Sequence, residues 1–198
     1  MRRFLATILP LAGVLLTAAA CGDEPASAPE PPKPSQVSTT NGSFAAPGGD
    51  NRAVTYDPAV VPAGATATVT VAVAGKGTEV TLNVTGMVPN RAYGAHLHVK
   101  PCGADGTAAG PHHQHQTDPA AAASPPSVDP SFANPVNEVW LDFTADGSGA
   151  ARVTAAQPWT FGPGQSARSL VVHAQQTQRE PGRAGTAGPR AACLTLPA

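Results

Sequence analysis

Five of the six histidines, His96, His98, His112, His113 and His115, fall within a short stretch, and His173 stands alone at the end of the apolar run Leu170-Val171-Val172. Imidazoles gathered this closely point to a metal. In His96-Leu97-His98 the rings are two residues apart, so on an extended backbone they leave the same face and can reach one ion. Imidazole suits copper and zinc, and a third and fourth ligand from elsewhere in the chain would complete a tetragonal or trigonal site. A His-x-His pair alone is equally compatible with two solvent-facing histidines.

The segments that must carry these side chains alternate with period two. Val69, Val71 and Val73, then Val80, Leu82 and Val84, then Val139, Leu141 and Phe143 are apolar on one side and largely polar on the other, the pattern of half-buried strands. Gly75-Lys76-Gly77 separates the first two as a hairpin, and Ala145-Asp146-Gly147-Ser148-Gly149 separates a strand over 138–144 from one over 151–154. Further strands are expected over 93–99, 169–173 and 191–196. No ten-residue stretch has helical periodicity, so the chain reads as all-β, an antiparallel sandwich or barrel. Residues 101–136, rich in Pro, Ala and Asp, form a loop long enough to expect a functional role.

Ahead of this domain the chain opens with Met1-Arg2-Arg3, an uncharged apolar run over 4–16, and small residues up to Cys21. That order predicts a signal peptide over 1–20, with Cys21 as a lipidation site at the new N-terminus; ordinary cleavage with an incidental Cys21 is the alternative. Residues 21–49, with prolines at 25, 29, 31, 32 and 34, have no apolar periodicity and read as a tether, leaving 50–198 as the folded domain. Without Arg2 and Arg3, ten cationic residues face thirteen acidic ones, a net charge of −3 that argues against a nucleic-acid partner. Arg168, Arg179, Arg183 and Arg190 nevertheless share their stretch with a single acid, Glu180, so a small anion can be attracted locally. If Cys21 carries lipid, Cys102 and Cys193 remain as a pair, for which an oxidising compartment makes a disulfide the default expectation.

Four blocks then carry a family resemblance. Gly94-Ala95-His96-Leu97-His98 with Lys100-Pro101-Cys102, Ala109-Gly110-Pro111-His112, Leu170-Val171-Val172-His173, and Gly185-Thr186-Ala187-Gly188-Pro189-Arg190-Ala191-Ala192-Cys193 resemble, in order, the metal-binding and C-terminal segments of bacterial copper/zinc superoxide dismutases. The resemblance implies a Greek-key β-sandwich or barrel with long metal-site loops. It implies copper held by His96, His98, His112 and His173, with His112 also carrying a proton, and Arg190 guiding an anion. It also implies a disulfide between Cys102 and Cys193.

By the same resemblance, superoxide is the substrate; the N-terminal pattern puts the place of action outside the cytoplasm, on a lipoprotein anchored to the outer face of the membrane through Cys21. A copper-buffering lipoprotein of the same fold without significant dismutase activity is the alternative. The zinc region departs from the family, because no histidine lies between His115 and His173. His115 and Glu138 are candidates for a modified zinc site, Asp118 and Asp129 are others in the long loop, and a copper-only relative would need none of them.

Overall fold

The computed structural model describes residues 33–48, 51–121, 126–162 and 164–197. The expected signal peptide and Cys21 lie outside these residues. Among the described residues, no helix is long and apolar enough to cross a membrane.

Among the described residues, nine antiparallel strands form two sheets: β1 (Gln36–Ser43), β2 (Ala53–Thr55), β3 (Thr66–Ala74), β4 (Gly77–Thr85), β5 (Ala92–His98), β6 (Phe143–Thr144), β7 (Ala151–Gln157), β8 (Ser169–His173) and β9 (Arg190–Thr195). The first sheet runs β1-β3-β4-β7 and the second β2-β9-β8-β5-β6, so the chain changes sheets repeatedly in the manner of a Greek-key sandwich. The β3/β4 hairpin pairs Ala74 with Gly77, leaving Gly75-Lys76 as the turn, and Gly75 takes the positive φ of 59° that this turn requires. Phe44, Val69, Leu82, Tyr93, Leu97, Leu141, Leu170 and Leu194 fill the space between the sheets. The Tyr93 ring stacks on Phe143 at 4.9 Å, and its hydroxyl donates to the Val60 carbonyl at 2.8 Å.

Two features differ from the sequence expectation. Residues 21–49 were expected to be a tether, yet Gln36–Ser43 pair with β3 along their whole length, and Phe44 enters the core. Of β1 only Thr40 is buried, so backbone hydrogen bonds at a sheet edge hold the strand and leave no apolar alternation to read. The strand expected over 138–144 is reduced to Phe143–Thr144, with Glu138 and Trp140 held by isolated bridges to Gln114 and His96. Its alternation survives: Val139, Leu141 and Phe143 enter the core, while Glu138, Trp140 and Asp142 alternate with them and make their contacts around the histidines.

Candidate metal centre

β5 has one face in the core, through Tyr93, Ala95 and Leu97, so His96 and His98 leave the opposite face of the sheet. Antiparallel pairing with β8 sets Gly94 against His173, which brings the end of β8 beside them. His98 is bridged to His112, so the loop returns along β5 and delivers a fourth ring. One ligating nitrogen from each of His96, His98, His112 and His173 lies within 4.8 Å of every other. His96 and His98 are fully buried, His173 nearly so, and the His112 side chain is 12% exposed.

Each ring commits one nitrogen to a protein partner. His98 and His173 donate from Nδ1 to the carbonyls of Gly110 (2.9 Å) and Gly188 (3.3 Å), groups that only accept. His112 donates from Nδ1 to Glu138 Oε2 at 2.7 Å. His96 places Nε2 2.7 Å from Thr177 Oγ1. The opposite nitrogens, His96 Nδ1, His98 Nε2 and His173 Nε2, are buried and have no hydrogen-bond partner. An unpartnered buried nitrogen is costly unless something binds it, and metal-bound histidines characteristically fix their tautomer through the other nitrogen. The set therefore fits a metal ion that takes imidazole nitrogens, such as copper or zinc.

Burial, with repulsion from neighbouring charge second, keeps His96, His98 and His173 neutral. Burial holds His96 and His98 well below the usual imidazole value, with His112 adding to the effect. His173 is pulled down to about 3, again by burial first and His112 second. A ligand that is already unprotonated has no proton to displace when metal arrives.

A cleft of about 470 Å³ reaches the cluster, lined in part by His112, His173, Glu138, the 184–188 segment and Arg190. Arg190 Nη1 donates to the Gly106 carbonyl at 2.7 Å, which anchors one arm of the guanidinium at the cleft wall. Gly106 opens a short 3-10 helix, Gly106–Ala109, capped by the Asp105 side chain. The bond between Cys102 and Cys193 ties the start of that loop to β9. Burial lowers the Arg190 guanidinium from its ordinary value, while Tyr56 and Asp105 act in the opposite direction.

The expected zinc candidates do not assemble. His115 lies flat on Trp159, ring centroids 4.8 Å apart and 3° from parallel, outside the cluster. Asp118 accepts from Ser127 Oγ and Ala120 N, and Asp129 accepts from Ser131 N, so both carboxylates close turns in the loop. Glu138 does reach the site, but as a buried acceptor for His112 Nδ1, Trp140 Nε1 (2.7 Å) and Gln114 Nε2 (2.8 Å). Among the described residues the four histidines are the single group with metal-ligating geometry. Gln114, Trp140, Asp142 and Thr177 were not among the site residues expected from sequence; the period-two alternation of 138–143 was the signal that placed Trp140 and Asp142 on the side of Glu138.

Fold and site together define a Greek-key sandwich with a four-histidine candidate metal centre under its loops. Residues 64–195 match the sequence model of the family described as copper/zinc superoxide dismutase. The chain belongs to the copper/zinc superoxide dismutase family. Among solved structures it is similar to the Cu/Zn superoxide dismutase from Brucella abortus, at 20% identity and a TM-score of 0.51 over 81% of this chain and all of that one. It is also similar to a variant of the SOD-like protein from Bacillus subtilis, at 15% identity and a TM-score of 0.46 over 66% of this chain and 88% of that one. No curated protein matches the chain.

Proposed function

We propose that the chain is a superoxide dismutase, converting superoxide to oxygen and hydrogen peroxide with copper held by His96, His98, His112 and His173. The observation that carries this reading is the convergence of four imidazoles, three of them with a buried, unpartnered nitrogen, beneath a cleft edged by Arg190. Copper bound there supplies the one-electron couple that dismutation needs. Arg190 attracts and orients the anion with its remaining donors, and the surrounding low-dielectric wall strengthens that attraction. His112, the most exposed of the four rings, holds its Nδ1–H against Glu138, so a proton passed from it to the departing product would come from its other nitrogen, on the side of the cluster. Glu138 stands at the second nitrogen of His112, so the reading rests on copper alone.

The reading includes place: export, with Cys21 lipidated at the outer face of the membrane. The Cys102–Cys193 bond supports an oxidising compartment. A lipid-sized mass on Cys21 in protein recovered from the cell envelope is the expected result, and an unmodified Cys21 contradicts it.

A copper buffer would share every ligand, and the wall around Arg190 separates the two readings. Superoxide consumption per bound copper, at matched metal content, is expected to fall several-fold in Arg190→Ala and further in Arg190→Glu, an order-of-magnitude estimate for one steering charge. Rising salt is expected to slow the parent more than the Ala variant. Equal rates in all three forms, or no activity in any copper-loaded form, refute the dismutase reading.

A further inference from the structure

His96 differs from the other three rings in the kind of group that holds it. His98 and His173 face carbonyl oxygens and His112 faces a carboxylate, all of which accept and so force a proton onto Nδ1. His96 faces a hydroxyl, which can either accept or donate. Nothing in a hydroxyl by itself decides which nitrogen of His96 carries the proton.

The decision is made one group further out. Thr177 Oγ1 lies 2.6 Å from Asp142 Oδ1, and a carboxylate can only accept there, so the hydroxyl hydrogen points at Asp142 and the oxygen lone pair is left for His96 Nε2–H. The direct separation of His96 Nε2 from Asp142 Oδ1 is 3.7 Å, too long for a hydrogen bond. Asp142 is itself fixed: it accepts from Ala95 N at 3.2 Å on Oδ1 and from Thr177 N at 3.2 Å on Oδ2. These bonds join β5 to the loop after β8 and leave the carboxylate little freedom to turn. The result at His96 is a bare Nδ1, the buried nitrogen that faces the other ligands.

We propose that Asp142, acting through the Thr177 hydroxyl, is a positioning residue that holds His96 in its Nε2–H tautomer and thereby keeps Nδ1 open for the metal. The inference rests on the copper reading above for its consequence, but the tautomer it assigns belongs to the protein alone. Replacing Asp142 with Leu keeps the approximate shape and removes the acceptor of the Thr177 hydroxyl. The hydroxyl is then free to donate to His96 Nε2, which moves the ring proton to Nδ1 and blocks the metal position. Thr177→Val removes the hydroxyl, and Thr177→Ser keeps it.

The test has two arms, both on the full folded domain. The first reads the His96 tautomer in metal-free protein from its ring nitrogen shifts. Parent and Thr177→Ser are expected in the Nε2–H form, with a large Nδ1–H population in Asp142→Leu. The second arm titrates Cu(II) against a competing chelator. Affinity is expected to fall about 10- to 100-fold in Asp142→Leu and Thr177→Val, the usual range for losing an outer partner of a ligating histidine, and to recover in Thr177→Ser. A merely structural role would lower the melting temperature without moving the ring proton. An unchanged His96 tautomer in Asp142→Leu overturns the proposal, as does unchanged copper affinity in both Asp142→Leu and Thr177→Val. Failure of the parent to bind Cu(II) overturns the copper reading instead, and the tautomer arm still decides the relay.

Discussion

The metal-free protein should be sensitive to acid well above the range in which carboxylates titrate. In the unfolded chain, histidines take up protons as pH falls through their ordinary value of 6.5. In the folded chain, His96 and His98 stay neutral far below that, and His173 does so down to about 3. Protons therefore bind the unfolded state preferentially. The stability contributed by these groups is whole above about pH 6.5 and is lost as pH falls from there toward about 3. Each histidine adds a slope of about 1.4 kcal/mol per pH unit, so the three together remove about 6 kcal/mol between neutrality and pH 5. A domain of this kind has only about 5–15 kcal/mol in total. His113, also lowered by burial, acts in the same direction.

Urea unfolding of the metal-free domain at intervals from pH 7.5 to 5 reads this directly. The denaturation midpoint is expected to drop steadily below about pH 6.5 at nearly constant slope with denaturant. Asp105, Asp118 and Asp146, whose carboxyls are lowered by turn hydrogen bonds, destabilise in the same sense only at and below their ordinary value of 3.8, so they leave this window clean. A midpoint unchanged from pH 7.5 to 5 would refute the idea that the site is a buried set of neutral imidazoles.

Two further outcomes follow from the architecture around the cleft. Replacing both Cys102 and Cys193 with Ala opens a loop of 91 residues, and the chain-entropy estimate puts the cost at about 4–5 kcal/mol, measurable as a lower urea midpoint at pH 7.5; an unchanged midpoint contradicts it. Gly94→Ala places a methyl 2.6 Å from both Ala187 Cβ and the Gln175 carbonyl, so the segment walling the cleft must shift; a loss of about 1–3 kcal/mol is expected in thermal melts, and a parent-like melting temperature counts against this packing.

The parts of the molecule that were legible in sequence are those where burial imposes a period. Val69, Val71 and Val73 and the other alternating runs must face a core, and the paired histidines of β5 inherit the opposite face from the same alternation. β1 was not legible because its stability comes from main-chain pairing with β3, which leaves no trace in side-chain polarity. β2 is three residues long, too short to show a period. His115 looked like a ligand because it is close in sequence to His112, but the backbone turns it onto Trp159, and sequence proximity in an irregular loop does not set direction. Thr177 had no signal at all: its role depends on where the loop after β8 crosses β5, a long-range fact.

The segment from Glu138 to Asp142 shows how one strand pattern can organise two tautomers at once. Its odd positions, Val139 and Leu141, are locked in the core with no exposed surface, so its even positions have no choice of side. Glu138 then meets His112, Trp140 lies against His96 with centroids 5.8 Å apart while donating to Glu138, and Asp142 reaches His96 through Thr177. The two carboxylates sit four residues apart and act on two different ligands of the same centre. A slip of one residue in this segment would turn an aliphatic side chain toward each imidazole and a carboxylate toward the core. The apolar contacts of Val139 and Leu141 therefore do more than stabilise the sandwich: by fixing the register, they determine which nitrogen of His112 and of His96 is left to the metal.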